Sequence, residues 1–135
     1  MTQRAFAITL KIPDNAAYTA LTTLQRLGLA LARVERSEIW VVEDAGDASD
    51  FAARMERNET IFNPNKHRLT VIDGVAPRAG EMWIEELGAP RAALGRRYVG
   101  WRLLDANGSP ASDEMLRDAA ERLLCNPAIE KAHRA

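Results

Sequence analysis

The chain has 135 residues, 47% of them hydrophobic and 27% charged, with a formal net charge of -1. That length suits one compact domain or two small interlocked units, and the composition argues against disorder and low complexity. Near-neutral charge gives no general attraction to nucleic acid or to an acidic membrane, and a single cysteine, Cys125, excludes an internal disulfide.

The first apolar stretch, Ala5 to Ile12, alternates: Phe6, Ile8, Leu10 and Ile12 share one face, while Ala7, Thr9 and Lys11 share the other. This is the pattern of a half-buried strand. Lys11 cuts the run shorter than a signal peptide or membrane span requires, so the chain is expected to be cytoplasmic. After Pro13, Asp14 is a candidate N-cap for a helix carrying Ala17, Ala20, Leu21, Leu24 and Leu27, with Gly28 as its stop. Leu31 to Asp44 reads as a long strand in which both parities are apolar, Val34, Trp40 and Val42 against Ile39 and Val41. Such a strand is covered on both faces, or a bulge near Ser37-Glu38 switches its parity.

A second helix is predicted to begin at Ser49-Asp50 and end before Pro64, with residues 54–59 mostly a solvated face. His67 to Asp73 follows as a strand, Gly74 to Gly80 as a linker and Glu81 to Leu87 as a short helix. Arg97 to Leu104 is another long strand, closed by the turn Asp105-Ala106-Asn107-Gly108. Ser112-Asp113 then caps a helix whose Met115, Leu116, Ala119, Ala120, Leu123 and Leu124 form a broad apolar stripe. Asn126-Pro127 ends that helix, and Ala128 to His133 can form a short final strand at a sheet edge.

Two stops of the same kind, Asn63-Pro64 and Asn126-Pro127, lie 63 positions apart, as do the helix starts at Ala48 and Ala111. At that offset Arg54 meets Arg117, Leu24 meets Leu87, and Phe6-Ala7-Ile8-Thr9 falls on Leu69-Thr70-Val71-Ile72. The offset predicts a tandem repeat of two β-α-β-α units, residues 1–73 and 74–135, sharing one continuous core. Each unit folds into a sheet with helices on one face. The expected class is therefore α+β, with antiparallel sheets packed face to face and helices outside.

Three segments, Leu27-Gly28-Leu29, the strand from Val34 to Val42, and the close Leu123 to Glu130, resemble the PurS subunit of phosphoribosylformylglycinamidine synthase. Members of that family carry a helix ending in Leu-Gly-Phe and a last helix ending in Leu-Leu-Ala-Asn-Pro-Val-Ile-Glu. The chain departs from the pattern at Pro13-Asp14-Asn15-Ala16, which opens the first helix, and at Ser37-Glu38, where Gly-Lys is typical. The resemblance implies a fused pair of PurS-like units, one chain mimicking the PurS dimer. It further implies a non-catalytic, cofactor-free role in purine biosynthesis, bridging a glutaminase subunit and a synthetase subunit, with homo-oligomerisation as a further expectation.

Among residues able to carry chemistry, Cys125 has only His67 or His133 as a base, and a buried, inert thiol is the simpler reading. No zinc-ligand spacing or nucleotide cradle is present, and Glu43 to Asp47 lacks the ligand pattern of a calcium loop. Arg91, Arg96, Arg97, Tyr98, Trp101 and Arg102 set guanidinium groups beside aromatic rings, a combination that holds anions or stacks on a base. The same alternation fits a half-buried strand with Val99, Trp101 and Leu103 inward.

Candidate partner or anion contacts are Asn63, Pro64, Arg96, Arg97, Tyr98, Arg102, Asn126 and Pro127; no catalytic, cofactor or metal residue is predicted. Besides the scaffold, two readings stand. One is a small-molecule binding or sensor module with its ligand between the sheets or against Arg96-Arg97. The other is an enzyme pairing Glu38 or Asp44 with His67.

Overall fold

A computed structural model describes all residues, 1–135. Its elements are β1 (Thr2–Leu10), α1 (Asn15–Arg26), β2 (Arg33–Asp44), α2 (Phe51–Glu56), β3 (His67–Ile72), β4 (Glu81–Glu86), β5 (Arg96–Leu104), α3 (Asp113–Ala119) and β6 (Glu130–Arg134). A single turn of 3-10 helix, Ala48–Asp50, precedes α2, and a π-helical turn, Ala120–Leu124, extends α3. The fold is α+β, and all six strands belong to one antiparallel sheet in the order β3-β1-β2-β5-β4-β6. No helix is long and apolar enough to cross a membrane.

One sheet replaces the two face-to-face sheets expected from the sequence. β2 and β5 pair edge to edge from Arg33↔Leu104 to Val41↔Arg96, which joins the halves in-plane instead of stacking them. The unbroken register also removes the need for a bulge at Ser37-Glu38. β2 is apolar on both faces because both faces of the joined sheet are covered. On one face, Val34, Met82, Ile84 and Leu103 pack against α1 and α3 through Ala20, Leu24, Leu116 and Ala119. Trp40 and Val42 share Val34's parity and meet Phe6, Ile8, Phe51 and Phe62 beneath α2, so all three helices lie on this face.

The opposite face carries Ala5, Ala7, Ile39, Val41, Ile72, Trp83 and Tyr98, all buried. Part of its cover is the link Asp73–Gly80. Ile72 is level with Ala5, Val41 and Arg96, while Glu81 is level with Arg102 and Glu35 at the far end, so the link runs diagonally from the edge strand β3 to β4, the strand next to the opposite edge. It is pinned there by Glu81, fully buried on Trp83's face, which accepts hydrogen bonds from Arg78 N (3.0 Å), Nε (3.1 Å) and Nη2 (2.6 Å) and from Trp83 Nε1 (3.1 Å).

Helix starts follow the sequence closely. Asp14 caps α1 by accepting from Ala16 N and Ala17 N, and Ser112 caps α3 by accepting from Met115 N. Gly28, at φ 94°, ends the first helix in the left-handed region that glycine enters without strain. α2 is shorter than expected and stops well before Pro64, because Asp50 binds Arg54 instead of capping the helix and the chain turns at Asn58.

Glu81 to Glu86 is a strand, not the expected helix. Six residues with an apolar centre, Met82-Trp83-Ile84, fit either period, and pairing on both sides, with β5 and β6, decides it. The β-α-β-α description of each unit is likewise corrected: the first half runs β-α-β-α-β and the second β-β-α-β. Leu87 lies in the link from β4 to β5 and is no helical counterpart of Leu24. β1 does not correspond to β3, which lies beside it in the same half, although β3 and β6 do lie 63 positions apart at opposite edges of the sheet.

Candidate functional site

The clearest concavity arises where two neighbouring strands part. β4 and β5 pair from Glu81↔Arg102 only as far as Ile84↔Val99. Beyond that point β4 stays with β6, through Glu85↔Lys131 and Glu86↔Glu130, while β5 stays with β2 from Tyr98↔Ile39 to Arg96↔Val41. The inner edges of residues 85–86 and 96–98 therefore face each other unpaired. Because main-chain groups point to alternate sides of a strand, at least one N–H and one C=O open into the gap. The space is about 530 Å³, bordered on the outside by Ala89 to Ala92 and Gly95 of the link from β4 to β5. Gly95 brings this link tightly against β2, where a Cβ would collide with the Val41 carbonyl oxygen.

Three arginines (Arg91, Arg96, Arg97) and three glutamates (Glu85, Glu86, Glu130) line the cleft. Half of these charges are already engaged: Arg97 Nη2 lies 3.3 Å from Glu38, Glu85 lies 2.7 Å from His133 Nε2, and Glu130 accepts from Asn126 N at 2.8 Å. Arg91, Arg96 and Glu86 make no ion pair or side-chain hydrogen bond. Tyr98 forms part of the wall, its ring 5.4 Å from Trp83 and edge-on to His133 at 5.7 Å. Its hydroxyl has no partner within the chain.

Four members of the predicted arginine–aromatic cluster, Arg91, Arg96, Arg97 and Tyr98, line the cleft, Arg96 and Tyr98 from the helix-free face and Arg97 from the helix face, and two do not. Trp101 is on the helix face beneath Arg36, 5.8 Å from its ring, and Arg102 lies at the other end of β5. Arg102 stands between Glu35 and Glu81 on the helix-free face, with Nη1 3.8 Å from Glu35 and its buried Nε unpartnered. Glu85, part of the cleft's wall, has no signal in the sequence, because it meets His133 only through pairing of β4 with β6.

The Asn-Pro turns share one hydrogen-bond design. Asn63 Oδ1 accepts from Asn65 N, its carbonyl from Lys66 N and His67 N, and its own N–H donates to His67 Nδ1. Asn126 Oδ1 accepts from Ala128 N, its carbonyl from Ile129 N and Glu130 N, and its N–H donates to the Glu130 carboxylate. Pro64 and Pro127 bar further helix, and each turn delivers the chain to an edge strand. These asparagine groups are spent on closing the turns; Pro64 additionally offers its carbonyl to Lys11 Nζ at 2.7 Å.

The residues of the acid–base reading are separately engaged. His67 Nδ1 accepts from Asn63, Glu38 accepts from Trp40 Nε1 at 2.6 Å, and Asp44 is clamped by Arg4 Nε at 2.8 Å and Arg54 Nη1 at 2.6 Å. Both guanidinium groups also pack on Phe51, at 5.8 and 5.7 Å from the ring. Hydrogen bonding from Arg54 holds the Asp44 carboxyl far below the usual carboxylate range, against the opposing effect of burial, with Arg4 adding to the depression. Burial and the nearby Glu130 charge push the Cys125 thiol up, which disfavours the thiolate a nucleophile needs.

The fold and site define an α+β protein with a split sheet. Comparison with protein-family models and with curated proteins finds no match to this chain.

Proposed function

We propose that the chain is a non-catalytic, PurS-like bridging protein: two fused units, 1–73 and 74–135, that join a glutaminase and a synthetase subunit of a cytoplasmic phosphoribosylformylglycinamidine synthase in purine biosynthesis. The observation that carries this reading is the register at the sheet's centre. Ser37 pairs with Gly100, its counterpart at the 63-residue offset. A pair of equivalent residues facing each other across antiparallel strands is what a two-fold axis between two like subunits produces. This register supports reading the one chain as two like units paired as in a dimer.

The flanks support the same reading. β3 and β6 are the outer strands, reached through matching Asn-Pro turns, and each pairs on one side only. Open strand edges accept strands from partners. Two related edges suit a protein that holds two neighbours.

The test is size-exclusion chromatography with light scattering on the chain alone and mixed with glutaminase and synthetase subunits from the same source. A ternary complex that forms only when the chain is present supports bridging. No complex with either subunit, with or without glutamine and nucleotide, removes the proposed role. Self-association alone would instead assign the edges to a homo-oligomer.

A further inference from the structure

We infer that the cleft between β4 and β5 is a binding site for a small zwitterion, a free α-amino acid, held by its carboxylate at Arg91 and Arg96 and by its ammonium group at Glu86. The proposal is independent of the bridging role and starts from the break in the β4–β5 ladder. A sheet that parts in its interior leaves main-chain donors and acceptors that need partners. A ligand carrying both donors and acceptors supplies them. The space of about 530 Å³ falls within the range of small-molecule sites and leaves room for a side chain beyond the two charged groups.

Charge selects the ligand class. Three arginines and three glutamates line the cleft, a formal balance of zero, so a ligand of no net charge matches it. A phosphate dianion would lie among three carboxylates and meets repulsion that a zwitterion avoids. With Arg97, Glu85 and Glu130 engaged inside the chain, Arg91, Arg96 and Glu86 remain; Arg96 rises from the helix-free face with Tyr98 and Glu86 from the helix face with Ile84, so a ligand that meets both lies within the gap, in the plane of the sheet. Two guanidinium groups suit a planar carboxylate, which they bind through charge-assisted hydrogen bonds. The unpartnered Tyr98 hydroxyl and the aliphatic parts of Ile84, Pro90 and Val99 are left for the remainder of the ligand.

The experiment is isothermal titration calorimetry of the full chain with the twenty protein α-amino acids, their amides and N-acetyl derivatives, and inorganic phosphate. At least one amino acid is expected to bind saturably. Removing either charge from it, by amidation or acetylation, should weaken binding at least about tenfold, the scale of losing a hydrogen bond to a charged group. The variants R91Q/R96Q should lose the same factor for the amino acid. E86Q should weaken the amino acid but leave its N-acetyl derivative unchanged. All three side chains are exposed, so the variants should keep the parent's melting temperature. The proposal is overturned if none of the twenty binds, if R91Q/R96Q binds as the parent does, or if phosphate binds more tightly than every amino acid.

Discussion

The first half of the molecule is closed and the second is open. β1 and β2 are joined by α1 and pair from Thr2↔Asp44 to Ile8↔Glu38. β4 and β5 are joined by residues 87–95 with no helix, and pair over Glu81 to Ile84 only. In the first half α1 adds Ala17, Ala20 and Leu24 to the largest cluster of buried side chains. In the second the corresponding connection walls a cleft. A helix stabilises by burying an apolar stripe, whereas a bare link leaves space and exposed charge. A cleft thus arises where a bare link, and not a helix, joins two neighbouring strands.

The largest expected effect separates the two connections. Leu24→Ala removes a fully buried side chain and should cost about 2–5 kcal/mol in urea denaturation, while Pro90→Ala in the link should stay within about 0.5 kcal/mol. Equal costs would mean that the link carries as much of the core as the helix. Glu81→Gln comes next. It removes the charge facing Arg78, but Arg78 keeps 30% of its side chain in solvent, so the loss should be about 1–3 kcal/mol, below that of a fully enclosed pair.

The Asn-Pro turns test the likeness of the halves. Asn63→Ala and Asn126→Ala should each cost about 0.5–1.5 kcal/mol by chemical denaturation, and by similar amounts, since the same bonds are lost. A large inequality would break the equivalence of the two turns. Asp44 has no matching ion cluster in the second half, where Asn107 stands at the offset position. Its folded pKa is depressed, so its contribution is whole above about pH 5 and is lost as pH falls below the unfolded value of ~3.9 toward the folded one. Asp44→Asn should lower the melting temperature at neutral pH and flatten its decline in acid, as measured by thermal melts across pH. The smallest effect concerns Cys125, whose raised pKa should make it react more slowly with a disulfide reagent at pH 8 than free cysteine does.

Much of this was legible in the chain because it rests on short-range spacing. Asp14 and Ser112 cap helices, and Asn63 and Asn126 close turns, all through contacts between residues a few positions apart. Glu81 to Leu87 is too short for its pattern to separate a helix from a strand. β1 falls on β3 at the 63-residue offset because alternating apolar residues look alike in any strand. The arginine cluster was visible, but which members converge was not: residues two apart on a strand share a face, yet the ladder's break separates Arg96 and Tyr98 from Arg102.

By itself the sequence determined the class of fold and nearly all of the elements, since propensity, capping and periodicity act within a few residues. Tertiary structure alone decided that the halves join through β2 and β5 into one sheet, that the link from β3 crosses it to be pinned at Glu81, and that β4 and β5 part to make a cleft. Those outcomes depend on pairing and packing between residues distant in the chain, where many strand partners satisfy the same local pattern and only the complete set of buried contacts and hydrogen bonds selects one.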